Sequence, residues 1–180
     1  MVAITPDELP AYLQAIYDRV EAAAVPVAQK VGNAYKEHLV GFTLHESGEH
    51  GHATFENGVA TYPEAAPPGR PPAFMDGHLA DSVLQDPAYA VGPGVARTTV
   101  APHTVYAATQ QWGAVHHGRP GMALWYERDL TMSQVRQAHW LRRSVTIKEH
   151  PYMNVAVDET IANGALERAG EEAFTAAVWG

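Results

Sequence analysis

Apolar residues recur at helical spacing through the first forty positions of the chain. Leu9, Leu13, Ile16, Val20, Ala24, Val27 and Val31 share one face up to about Leu39, with Gln14, Asp18, Glu21 and Lys30 interleaved. That is the 3.6-residue period of a long amphipathic helix. Thr5-Pro6-Asp7-Glu8 has the form of a capping box. A start at Asp7 fits equally well, since Pro10 then also falls in the first turn, where no intrahelical bond is lost. Pro26 lies inside the pattern, removing one donor and crowding the preceding turn, so a kink or break is expected there. The apolar stripe needs a second layer, from this chain's own sheet or from a neighbouring subunit.

The pattern changes at Gly41 and stays different to Arg70. Ala53-Thr54-Phe55 and Val59-Ala60-Thr61-Tyr62 flank Asn57-Gly58, a strong hairpin signal. Ala65 to Pro72 is rich in proline and reads as an exposed connector. Asp76-Gly77 then supplies turn chemistry, and Leu79 and Val83, four apart, can enter one core through a single helical turn.

A β-rich block follows. Tyr89 to Gly92 and Arg97 to Val100, separated by Pro93-Gly94, read with Val105-Tyr106-Ala107 as an antiparallel meander. A competing reading makes Tyr106 to Trp112 one helical turn over the sheet edge. Leu124 to Arg128 and His139 to Ile147 look like the arms of a long hairpin, with Leu141, Val145 and Ile147 on one face. Ser133 capping a short helix through Val135, Ala138 and Leu141 competes with the second arm; the β-branched run Val145-Thr146-Ile147 favours strands. Beyond Pro151, the positions Met153, Val157, Ile161, Leu166, Ala169 and Phe174 support a terminal helix loosely broken by Gly164 and Gly170. The expected fold is α+β: a long N-terminal helix, a small antiparallel sheet with a protruding β-hairpin, and a C-terminal helix. It forms one domain over residues 1–180, with 114–149 as an extended hairpin arm.

Composition narrows the function classes. A chain of 180 residues can bury roughly 70% of its unfolded surface without staples. With no cysteine, disulfides, thiolate zinc sites and thiol nucleophiles are all excluded. The opening Met-Val-Ala-Ile-Thr-Pro lacks the features of a signal peptide, and no apolar run approaches the ~20 residues that span a bilayer. The expectation is a protein assembled in the cytoplasm without a membrane partner. A net charge of −8 disfavours non-specific nucleic-acid binding, which needs clustered Lys and Arg.

The candidate chemistry is sparse. His50 and His52 alternate along an extended segment and so face one ion together, with His45 or Glu49 as a third ligand. A solvated loop rich in His and Glu is the competing account. In the His116-His117 pair, strand neighbours point to opposite faces, and Gly118 suggests a loop. There is no phosphate-cradling glycine loop with its lysine, no Gly-x-Ser-x-Gly elbow and no spacing that singles out a triad. No catalytic residue and no cofactor are therefore expected. By contrast, Trp125, Tyr126 and Trp140 with Arg128, Arg142 and Arg143 are residue types enriched at interface hot spots. Together with Leu141 and Val145 they form the expected oligomer interface. A flap closing this chain's own core is the alternative.

Three short segments, in order, carry a resemblance. They are Met75-Asp76-Gly77-His78-Leu79-Ala80-Asp81-Ser82-Val83, Tyr106-Ala107-Ala108-Thr109-Gln110-Gln111-Trp112-Gly113 and His150-Pro151-Tyr152-Met153. The chain resembles the head–tail joining family of long-tailed bacteriophages, the tail-completion or neck proteins. Its motifs have the form Pro-x-x-Thr-Gly-x-Leu-x-x-Ser-Ile, Tyr-Ala-x-x-x-x-x-Gly and Arg-Pro-Phe-Leu. Gly77, Leu79, Ser82, Tyr106, Ala107, Gly113 and Pro151 match, and Tyr152 is a similar residue. Asp76 stands for threonine and His150 for arginine.

The resemblance implies a structural virion protein and not an enzyme. It implies a ring, usually of six copies, between the connector or head-completion protein above and the tail-tube or tail-terminator protein below. DNA passes through the lumen without sequence-specific binding, and acidic terminal helices facing the channel would repel its phosphates. A tail-terminator ring is the alternative within this class. Outside it, the alternative is a small metal-dependent hydrolase using His45, His50 and His52, which stoichiometric zinc in the purified protein would revive.

Overall fold

The computed structural model describes residues 5–44, 54–56, 59–61, 70–72, 77–117 and 144–180. Helix α1 (Leu9–His38) is preceded by a turn in which the Glu8 carboxylate reaches back to Thr5. Glu8 Oε2 accepts from the Thr5 backbone N–H at 2.9 Å and from the Thr5 hydroxyl at 2.7 Å. The backbone bond, then the hydroxyl bond, holds the Glu8 carboxyl below its usual range. Half of the capping box therefore forms: the hydroxyl donates to the carboxylate instead of accepting from the helix.

No break occurs at Pro26, which lies within α1. Pro26 and Ala22, whose carbonyl loses its partner, are both exposed. Water meets the freed acceptor, and packing on the opposite face holds the helix together. Nor does helical structure stop near Leu39. A π-helical turn (Leu39–Leu44) extends it and buries Leu39, Thr43 and Leu44.

β1 (Thr54–Glu56) and β2 (Val59–Thr61) pair antiparallel with Glu56 opposite Val59, as expected of a hairpin; Asn57 and Gly58 lie outside the described residues. Gly77, at φ 79°, opens the one-turn helix α2 (His78–Asp81). Leu79 and Val83 do share one core, which also contains Leu39, Leu44, Ala80, Tyr152 and Ala156.

The meander is not formed. β3 (Val83–Gln85) pairs with β6 (Val100–Pro102), and β4 (Tyr89–Gly92) pairs with β5 (Val95–Arg97), all antiparallel. The two pairs nest into a single long hairpin that folds back at Pro93-Gly94. Pro87 has no donor to give a ladder, and side chains fill the gap. The Thr98 hydroxyl donates to the Asp86 carbonyl at 2.7 Å, and the Ala88 N–H donates to Gln29 Oε1 of α1 at 2.8 Å. Gln85 Nε2 donates to the Gln29 carbonyl at 3.0 Å. The hairpin approaches α1 closely at Gly32, where an added Cβ would lie 2.8 Å from Thr98 Cγ2 and would collide with the Gln85 amide.

Helix α3 (Ala107–Trp112) realises the helical-turn reading of that segment. After Gly113, at φ 69°, β7 (Ala114–His117) pairs antiparallel with β8 (Ser144–Ile147), Ala114 opposite Ile147 and His117 opposite Ser144. His116 and His117 thus lie in a strand and not in the expected loop. Residues 118–143, with most of the expected arm, lie outside the described residues.

The terminal helix is two helices, α4 (Tyr152–Ala162) and α5 (Ala165–Trp179). The break falls at Gly164, whose φ of 66° suits a residue without a Cβ, while Gly170 stays inside α5. Both helices pack against α1.

Candidate assembly surfaces

The three motif segments converge inside the molecule. Tyr152, at the start of α4, is fully buried. Its hydroxyl donates to the carbonyl of Ala107 in α3 at 3.3 Å, and Gln111 Oε1 of α3 accepts from the Met153 N–H at 2.9 Å. The His150 N–H donates to the Gln110 carbonyl, and His150 Nδ1 lies 2.8 Å from the Arg70 carbonyl. Ser82 caps α2 by donating to the Leu79 carbonyl at 2.8 Å, while Leu79, Ala80 and Val83 pack in the core with Tyr152. Burial pushes the Tyr152 phenol up to about 12, reinforced by Tyr35 and Tyr106, and burial alone pushes Tyr35 to about 12. These positions build the fold.

A polar tie lies at the other end of the core. Glu159 Oε2 of α4 accepts from the Thr43 hydroxyl at 3.1 Å and lies 2.8 Å from His38 Nε2, and the His38 ring stacks on Phe42. This clamps the π turn to α4.

A run of large apolar side chains on α1 faces solvent. At ~1.5 Å per residue, α1 runs about 45 Å, and burial along its stripe is uneven. Ala23, Ala169 and Val178 are buried; Leu9, Tyr12, Leu13, Tyr17 and Val20, on the same stripe of α1, are not. Leu13 is 55% and Tyr17 57% exposed. Contiguous apolar surface of this kind marks interaction sites, whereas scattered exposed residues would not.

Two further surfaces accompany it. Between α1 and the β4–β5 pair lies an open groove of about 620 Å³, lined by Ala28, Val31, Val91, Val95, Ala96, Arg97 and Thr98. Around α3, Val105 is fully exposed and Trp112 is 70% exposed, with Val115 exposed on β7. Tryptophan so placed is a typical interface anchor. On α4 and α5, Asp158, Glu159, Glu167, Glu171 and Glu172 are all exposed against the single base Arg168, an acidic outer face.

No family model, curated protein or solved structure matches the chain.

Of the expected interface residues, Trp125, Tyr126, Arg128, Trp140, Leu141, Arg142 and Arg143 lie outside the described residues. Val145 sits in β8 opposite His116. His45, His50, His52 and Asp76 also lie outside them. Among the described residues, no group of three His, Asp or Glu side chains is placed to hold a metal, and no helix is long and apolar enough to cross a membrane. The sequence left the covering of the α1 stripe open between this chain's own sheet and a neighbouring subunit; it did not single out Leu9 to Val20 as the exposed part.

Proposed function

We propose that this chain is a structural virion protein of a long-tailed phage. It forms a ring, of six copies, at the head–tail junction, joins the connector to the tail tube and lets DNA pass. The observation that carries this reading is the exposed apolar side chains on the N-terminal half of α1, with a second exposed apolar surface on the β4–β5 hairpin, both suited to contact between copies. A second support is that the three motif segments, read from the sequence as one family's signature, meet in one core around Tyr152. The acidic face of α4 and α5 suits a lumen that phosphates must traverse without sticking. Tail completion is favoured over tail termination because the motifs belong to the former.

The test is genetic: translation is stopped at the Gln14 codon in the phage that carries the gene. DNA-filled heads and finished tails that remain apart, and that join when purified protein is added, are the expected result. Normal joined particles made without the chain would overturn the reading.

A further inference from the structure

The long hairpin is anchored in the core at one end only. Its stem, β3 with β6, enters the core through buried Val83 and packs against it at Val100. From Leu84 to Thr99 no residue is buried, and Tyr89, Val91 and Val95 of the tip are each just over half exposed. The tip, β4 with β5, is also irregular, because its register shifts between Ala90 and Gly92. A lone two-stranded ladder is at best marginally stable in water. What holds the tip therefore decides how often it lets go.

Stem and tip are separate ladders. Just past the stem, Asp86 donates its N–H to the Thr99 carbonyl at 2.9 Å, and then Pro87 and Ala88 belong to neither ladder. Pro87 has no N–H to give. The Ala88 N–H donates not to the opposite strand but to Gln29 Oε1 of α1, at 2.8 Å. Gln29 Nε2 in turn donates to Asn33 Oδ1 one turn on, at 3.4 Å, which orients the carboxamide. Beyond Ala88, an open groove of about 620 Å³ lies between the tip and α1. Among the described residues, Gln29 makes the only hydrogen bond from α1 to the segment 88–97.

We propose that the tip, Tyr89 to Arg97, swings away from α1 as one unit on a hinge at Pro87-Ala88 and Thr98-Thr99, and that the Gln29 carboxamide is the latch that closes it. This is a property of the single chain and does not rest on the ring reading. A hairpin laddered throughout would move in one piece with its stem, whereas an interrupted one concentrates the backbone change in a few residues between elements. Opening separates Val91, Val95 and Ala96 from Ala28 and Val31, and no buried side chain moves with them. Closing restores the latch bond and brings the apolar walls back over α1.

Hydrogen exchange of the full chain in dilute solution, resolved by residue in a mass spectrometer, reads the opening. The tip amides should exchange on the order of 100-fold faster than those of β3 and β6, because local opening is easier than global unfolding. Urea below the unfolding transition should speed β3 and β6 and leave the tip unchanged, since the core stays intact when the tip opens. Gln29→Ala removes the acceptor and should speed the tip a further ~5–10-fold, the net worth of one hydrogen bond. Gln29→Glu keeps an acceptor oxygen for the Ala88 N–H and should hold the tip at or below the rate of the unaltered chain. Tip and stem exchanging at one rate, and responding together to urea, would show a single unit and overturn the hinge. A fast, urea-insensitive tip that Gln29→Ala does not speed would overturn the latch.

Discussion

The hydroxyl of Tyr152 donates to the carbonyl oxygen of Ala107 at 3.3 Å, joining the start of α4 to the start of α3 across the core. Two segments 45 residues apart in sequence are tied there by one buried bond, and Leu79 and Ala80 of a third segment pack in the same core. Removing the bond alone is a mild change. Tyr152→Phe should lower stability by about 0.5–1.5 kcal/mol, the usual net worth of such a bond. Tyr152→Ala opens a cavity and should cost about 3–5 kcal/mol. Urea unfolding followed by circular dichroism measures both.

Alkaline pH should unfold the protein through the same residue. Tyr35 and Tyr152 have phenols pushed up to about 12 by burial, against an ordinary value of 10. The folded state therefore holds these protons more tightly than the unfolded state. Stability is fully present below pH 10 and is lost as pH rises from 10 through about 12. The urea midpoint should fall across that window, and less steeply in Tyr152→Phe.

Gly32 should resist substitution despite sitting in a helix, where alanine is normally better by about 1 kcal/mol. A methyl there meets Thr98 and displaces the Gln85 amide from the Gln29 carbonyl. Crowding at about 1–3 kcal/mol offsets or outweighs the helical gain, so Gly32→Ala should be a net loss of up to about 2 kcal/mol. Gly41 has nothing within 4 Å of an added Cβ. Gly41→Ala should be neutral or stabilising by up to about 1 kcal/mol. Thermal unfolding of the pair checks the contrast.

Leu13→Ser with Tyr17→Ser should separate folding from assembly. Both side chains are more than half exposed, so the monomer should change by no more than about 0.5 kcal/mol per site. Sedimentation should nonetheless show a marked shift from oligomer toward monomer.

Local signals in the sequence found local structure. The α1 helix, the antiparallel pairing of β1 with β2 and the shared burial of Leu79 and Val83 all follow from spacing within a few residues, and the structure has each of them. What spacing cannot contain is the partner. Pro26 is a breaker by its own chemistry, but it faces solvent in a helix held from the other side. Pro93-Gly94 turns the chain in a meander as well as in a nested hairpin, and Gln29, 56 residues before Gln85, helps to hold the nested form. Which part of the α1 stripe is buried is decided only once α5 lies against it. Gly32 was legible in principle, since a glycine inside a helical pattern signals close approach of another segment.

Sedimentation velocity of the full chain over a wide concentration range tests most directly whether identical copies are the working partners. The account predicts a discrete closed species, at six times the 19.5 kDa chain mass, with no intermediate accumulating at high concentration. A single monomeric boundary at every concentration would contradict it.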